Sequence, residues 1–152
     1  GETSKLYKKL VLEDKKALSV SVDYNPISRS YGQFVIAMIP ADGVRPQELV
    51  KSFESAWNEA VSEFNITELE KIRKKMLAGL VYLRDNPEDA AYIVGSMAVA
   101  GVSLDEIEVQ EDKLKAVRLS EVHKVAEKLV RSAPKVIGIL QPLEDDNDGE
   151  KQ

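Results

Sequence analysis

His123 is the only histidine in the chain, and it is the first residue to test for chemistry. It lies in Glu121-Val-His-Lys-Val-Ala-Glu127, one helical turn from Glu127, with which it could hydrogen-bond. A zinc site takes about three protein ligands, and the H-E-x-x-H and H-x-x-E-H motifs each place two histidines on one helix face. A lone histidine cannot do this, so His123 reads as a solvated residue on a helix face. Neighbouring carboxylates can divide acid and base roles when burial separates their pKa values. The pairs Asp105/Glu106 and Glu111/Asp112 instead sit in a polar stretch beside a capping motif and read as capping and solvated groups. Lys71, Arg73, Lys74 and Lys75 form a basic run. Glu70 lies four residues before Lys74, so the run reads as a salt-laced outer helix face. No aromatic residue interleaves with it, as a single-strand nucleic-acid surface would require. The loop Asn25-Pro-Ile-Ser-Arg-Ser-Tyr-Gly32 places Ser28, Arg29, Ser30 and Tyr31 between two strand-like segments. Such a loop suits either a ligand contact or a plain hairpin connection. There is no glycine-rich phosphate loop and no G-x-S-x-G turn. From the residues alone, the chain is not a complete enzyme.

Composition narrows the classes further. The 152 residues carry 21 Lys and Arg against 26 Asp and Glu, for a net charge of −5, which argues against a nucleic-acid module. No cysteine is present, so disulfides, thiolate zinc sites and thiol nucleophiles are excluded. No apolar run approaches the ~20 residues of a membrane helix. Residues 1–6 show no basic-then-apolar leader.

The elements that must position these residues follow from periodicity. Leu6, Tyr7, Leu10 and Val11 recur at helical spacing over Ser4 to Leu12. Leu18, Val20, Val22 and Tyr24 alternate with Ser19, Ser21 and Asp23, which predicts a strand buried on one face. The apolar run Gln33 to Ile39 predicts a second strand covered on both faces or nearly so, and the two form a hairpin. Pro46 suits a first helical position, ahead of the stripe Leu49, Val50, Phe53, Trp57, Ala60, Val61 and Phe64. Asn65 and Glu68 form a capping box for a helix on Ile66, Leu69, Ile72, Met76, Leu80 and Leu83 that ends near Asp85. Asn86-Pro87 starts a helix to Ala100 whose small residues predict tight packing, with Gly101 as terminator. Ser103 and Glu106 cap a short helix. Ser120 is expected to cap a last one on Val122, Val125, Ala126, Leu129 and Val130. Val136 to Leu140 reads as a closing strand in the hairpin sheet, and residues 144–152 as a disordered acidic tail. The fold class is α+β, a mostly antiparallel sheet with helices packed on one face.

Several of these stretches resemble the pitrilysin/insulinase-type zinc peptidases, the superfamily that includes mitochondrial processing peptidase, and above all their bacterial branch. Residues 1–11 are similar to the family's "G-G-x-x-S-R-L-Y-x-x-L-V" helix, and residues 17–24 to the strand after it. Residues 65–75 resemble its "v-t-x-x-E-L-e-r-a-k" helix. Ala100 to Glu106, Val117 to Val122 and Val136 to Pro142 resemble its "G-x-s-l-d-d", "V-t-a-x-d-V" and "v-x-G-v-L-x-P" segments. Together these span nearly all of residues 1–143, which would be the C-terminal part of the family's non-catalytic second domain.

The resemblance implies a chamber enclosed by two similar α+β domains. The zinc site, H-x-x-E-H with a distal Glu, lies in the first domain, and none of it is in these residues. Zinc is therefore implied for the full-length protein or a partner subunit, and no cofactor for this chain. An N-terminal catalytic domain or partner subunit and a peptide substrate are the implied partners, with no nucleic acid and no membrane span. In many members the second domain gives substrate an Arg and a Tyr spaced R-x6-Y. The matching positions here are Val11 and Leu18, an apolar pair that cannot donate those hydrogen bonds. The departure fits a branch without the pair or an inactive subunit. The family's domain has strands before the stretch that matches Gly1. Without them a sheet edge and apolar helix surface would be exposed, so self-association is expected. Bacterial relatives are often exported, which points to a periplasmic location. The rival readings are a catalytically inactive, core-protein-like structural subunit and an unrelated α+β interaction domain.

Overall fold

A computed structural model describes residues 4–25 and 32–140. The first helix, α1 (Lys5–Tyr7), is capped by the Ser4 hydroxyl, which accepts from the Tyr7 N–H at 3.2 Å. It runs directly into a π-helical stretch, Lys8–Glu13, wider than the α-helix that the periodicity predicts. The hairpin follows: β1 (Ala17–Asn25) pairs antiparallel with β2 (Gln33–Pro40). Then come α2 (Pro46–Glu63), α3 (Ile66–Asp85), α4 (Pro87–Val99), α5 (Leu104–Glu108), α6 (Gln110–Ala116) and α7 (Leu119–Arg131). The α+β class is as the sequence predicts.

The core is where the N-terminal helix, the hairpin and α2 meet. Leu6, Leu10, Ala17, Leu49, Phe53 and Ala56 are buried there, with Val20, Ile36, Met38 and Trp57 packed around them. Val20, Val22 and Tyr24 face Met38, Ile36 and Phe34 across the ladder and share the helix-covered side of the sheet. The Phe34 ring meets Trp57 edge-on at 5.7 Å. Val35 and Ile39 lie on the opposite side and are half exposed or more. The strand expected to be covered on both faces is covered on one, because helices pack on only one side of the hairpin.

Start signals fall where expected at three helices. Pro46 opens α2. Asn65 Oδ1 accepts from the N–H groups of Thr67 and Glu68, while Glu68 returns to the Asn65 N–H, so the capping box forms. Asn86 caps α4. Gly101 takes φ +91°, a left-handed geometry natural to glycine.

Other expectations are corrected. α7 begins at Leu119, one residue before Ser120, and the Glu121 carboxylate accepts from the Arg118 N–H at 2.7 Å. Glu121 thus fixes the helix start ahead of the serine. α4 contains no buried residue, and a Cβ on Gly95 would meet nothing within 4 Å, so its small residues do not serve close packing. In α3, Leu69 is buried but Ile66, Ile72 and Met76 remain about half exposed. Val136 to Leu140 forms no strand. The sheet holds β1 and β2 only, and the segment has no ladder partner among the described residues. The loop with Ser28, Arg29, Ser30 and Tyr31, the residues after Leu140 and the acidic stretch 144–152 lie outside the described residues.

Candidate functional site

The turn between the N-terminal helix and β1 carries the two positions the resemblance singles out. Val11 lies on the π-helical stretch and packs partly buried against the core. Lys16 N–H closes the helix on the Leu10 carbonyl at 2.9 Å. Lys15 between them takes φ 51°, a left-handed conformation that is uncommon for a residue with a Cβ. β1 then starts with a bulge. Ala17 faces Pro40 and Ser19 faces Ile39, so Leu18 is the extra residue. The bulge lets Ala17 point into the core and turns Leu18 outward, 58% exposed. The sequence alternation placed Leu18 on the buried side. The bulge shifts the phase at Leu18; beyond it Val20 is packed against the core as expected, but Val22 is 46% and Tyr24 59% exposed, so the predicted burial does not extend along the far half of the strand. The structure thus brings Val11 and Leu18 to one turn but sends one inward and the other outward.

Ion pairs flank this turn and tie it to α2. Lys5 meets Glu63 at 3.1 Å, Lys9 meets Glu59 at 3.3 Å, and Lys16 meets Glu48 at 2.5 Å. The partner numbers fall as the lysine numbers rise, so the N-terminal helix lies antiparallel to α2. The hydrogen bond from Lys16, and then its charge, hold the Glu48 carboxyl below its ordinary range against a smaller opposing desolvation. Desolvation pulls the Lys5 ammonium down, but Glu63 and Glu68 together outweigh it and raise it overall. Lys9 is raised by its hydrogen bond to Glu59 and by the charges of Asp14 and Glu59.

His123 is not simply solvated. Its Nε2 lies 2.9 Å from the Phe64 carbonyl oxygen, and its half-buried ring stands against Phe64 at 6.3 Å. A carbonyl can only accept, so Nε2 carries the proton. The histidine joins α7 to the end of α2. Its position just before the Asn65 capping box in space could not be read from spacing on α7.

Arg73 also departs from the outer-face reading. Its side chain is 13% exposed, donates to the carbonyls of Leu114 and Val117, and pairs with Glu70. The Glu70–Lys74 pair expected from the i, i+4 spacing gives way to Glu70–Arg73, because Arg73 is held inward at the end of α6. Lys71, Lys74 and Lys75 are exposed. The shallow depression beside them is lined by Ile66, Thr67, Glu70, Lys71 and Lys74, all from α3, so no second element walls it. Asp105 and Glu106 occupy the first turn of α5, and Glu111 and Asp112 that of α6. Glu106 completes the expected capping pair with Ser103, the two exchanging bonds at 3.2 Å. Among the described residues no three His, Cys, Asp or Glu side chains converge as a metal site would require.

The hairpin offers a different chemistry. Among the described residues each strand is paired on one side only, so each has an outer edge of main-chain donors and acceptors. An extended peptide can add to such an edge, with backbone hydrogen bonds giving affinity and little sequence preference.

No family model matches the sequence, and comparison with curated proteins finds no relative. Solved structures do show a likeness. A protease from Helicobacter pylori superposes with a TM-score of 0.72 at 18% identity, over 84% of this chain and 31% of that one. A candidate zinc protease from Bordetella pertussis Tohama I superposes with a TM-score of 0.71 at 22% identity, over 87% of this chain and 72% of that one. This chain therefore spans about a third of the first protein and most of the second, and over most of its length it has the fold found in these protease structures.

Proposed function

We propose that this chain is the C-terminal part of the non-catalytic domain of a zinc metallopeptidase, with residues 1–143 forming that part and residues 144–152 a tail. It supplies chamber wall and a peptide-holding surface, while the metal and the amide chemistry belong to another domain of the same protein or to a partner subunit. The observation that carries this reading is the superposition on a protease over 84% of this chain but only 31% of the protease. The open strand edges support the peptide-holding role, since they offer main-chain pairing to an extended ligand. Zinc would activate water for attack on the amide in the catalytic domain.

The test is the coding region around this chain. An H-x-x-E-H motif with a downstream Glu, in the same frame or an adjacent one, is expected; its absence from both ends the peptidase reading. The chain alone is expected to hold substoichiometric zinc after chelator washing and to cleave no peptide, as checked by metal analysis and a fluorogenic peptide panel.

One observation favours an inactive structural subunit instead. Val11 packs into the core and Leu18 is apolar, so neither supplies the polar contacts that the family's Arg and Tyr give substrate. Peptidase activity on restoring the catalytic part decides between the two.

A further inference from the structure

The turn that joins β2 to α2 carries the one Asp-Gly pair among the described residues, Asp42-Gly43, and both residues are exposed. The Val44 N–H closes the turn on the Ala41 carbonyl at 3.0 Å. Gly43 takes φ +78° while Asp42 keeps a negative φ, the pattern of a type II turn. A Cβ at Gly43 would meet nothing within 4 Å, so no neighbour packs against it. Among the described residues the Asp42 carboxylate has no cation or N–H partner, and the Gly43 N–H has no acceptor. Asp14, Asp23 and Asp89 are each engaged, by Lys9, by the Tyr24 N–H and by Asn86.

We propose that Asp42 is a site of spontaneous covalent modification, where the side chain closes on the Gly43 nitrogen to a succinimide that reopens as isoaspartate. With the carboxyl in its acid form, the Gly43 nitrogen attacks Cγ. An N–Cγ bond forms, the Cγ–O bond breaks, and the hydroxyl leaves with the amide proton as water. Water then adds to one of the two ring carbonyls. Breaking the N–Cγ bond restores aspartate. Breaking the bond between the Asp42 main-chain carbon and the Gly43 nitrogen leaves the chain running through Cγ, with a free α-carboxylate. No oxidant, cofactor or second protein takes part, so the reaction depends on the turn alone. Glycine permits it, because without a Cβ nothing crowds the attacking nitrogen and the backbone is least restrained. The turn sets the pace. A type II turn holds ψ of its first central residue near about +120°, which keeps the Gly43 nitrogen away from the Asp42 side chain. The peptide must rotate before attack, and a single main-chain hydrogen bond of modest net strength closes the turn against that rotation. The product carries one more main-chain carbon between β2 and α2. Just before it the Ala41 N–H donates to the Lys16 carbonyl at 3.1 Å, and just after it Glu48 holds the Lys16 ammonium. Isoaspartate at this point therefore loosens the ties between α2 and the start of β1. None of this rests on the peptidase reading.

Storage of the intact chain in warm neutral buffer, followed by peptide mapping, tests this. An isoaspartate-specific methyltransferase with labelled S-adenosylmethionine counts the product, and electron-transfer fragmentation places it. The other Asp-Gly of the sequence, Asp148-Gly149, lies outside the described residues and maps to a separate peptide. Isoaspartate is expected to accumulate at Asp42 in the folded chain, faster than at Asp14, Asp23, Asp89 or Asp105, and several-fold slower than at Asp42 in urea. Asp42→Asn should react faster through the same ring, losing ammonia in place of water. Asp42→Glu should remove the signal at this position, since its ring would be larger and closes less readily. The converted chain, separated by ion exchange, should unfold at lower urea than the unconverted one. Isoaspartate at Asp42 in urea but none in the folded chain would overturn the proposal, because the turn would then hold the nitrogen away for good. An Asp42 signal no larger than that of the other four aspartates would overturn it as well.

Discussion

The indole Nε1–H of Trp57 donates to the main-chain carbonyl of Ala126 across 3.1 Å, joining α2 to α7. The same ring packs against Phe34 and Phe53, so one side chain contacts the sheet, its own helix and the last helix. Trp57→Phe keeps most ring contacts and loses the hydrogen bond, for an expected loss of about 1 kcal/mol. Trp57→Ala also removes the ring and is expected to cost about 3–5 kcal/mol. Urea unfolding followed by circular dichroism distinguishes the two. Equal losses would show that the bond to Ala126 contributes nothing.

His123 makes the second tie between these helices. His123→Gln retains an amide donor for the Phe64 carbonyl and is expected to be milder than His123→Ala, by about 1 kcal/mol. Neither variant should alter zinc content, because the role is to hold two helices together.

Lys15 carries a left-handed backbone that a Cβ disfavours. Lys15→Gly is expected to raise stability by about 1 kcal/mol, the relief of that strain less the extra freedom glycine gives the unfolded chain. The comparison is the urea midpoint of the two proteins at unchanged slope.

Glu48 gives the pH dependence its sign. Its folded carboxyl lies below the ordinary 4.5 because Lys16 bonds to it, so its contribution is present above that value and is lost as pH falls through the folded one. Glu48→Gln should therefore be less stable than the native chain at neutral pH, with the difference shrinking in acid. Lys9 behaves oppositely: it is raised above 10.5, so its contribution is present below that value and fades as pH climbs through the folded one. Both effects should weaken in high salt, since these pairs are solvent-exposed.

The two positions of the helix-to-strand turn should respond unequally to polar residues. Val11→Arg places a charge against the core and is expected to destabilise by about 1–3 kcal/mol. Leu18→Tyr stands on the bulge in solvent and should shift stability by no more than about 0.5 kcal/mol. If both are neutral, the inward packing of Val11 is wrong.

These contrasts show which parts of the fold were legible from the sequence. Asn65 and Asn86 act through side-chain bonds to N–H groups two or three residues on, and Pro46 and Gly101 through their own main-chain geometry, so their residue types alone mark helix ends. The hairpin was legible because alternation needs only its two strands. The bulge at Leu18 was not, since it is seen only in the register against Pro40 and Ile39. The coverage of β2 depends on what packs across it, which an apolar run does not encode. Val136 to Leu140 has strand chemistry, but a strand also needs a neighbour, and none is paired with it among the described residues. His123 and Arg73 looked solvated because their partners, Phe64 and the end of α6, are distant in sequence.

The extra residue at the start of β1 also makes that position tolerant of length change. Ala17 and Ser19 already face consecutive partners on β2, so deleting Leu18 would leave a regular ladder there. Enlarging Ala17, which is 3% exposed, would press on the core directly. At this turn, losing a residue should be gentler than replacing its neighbour, and sequences that share the fold can differ here by a gap without moving the hairpin against α2.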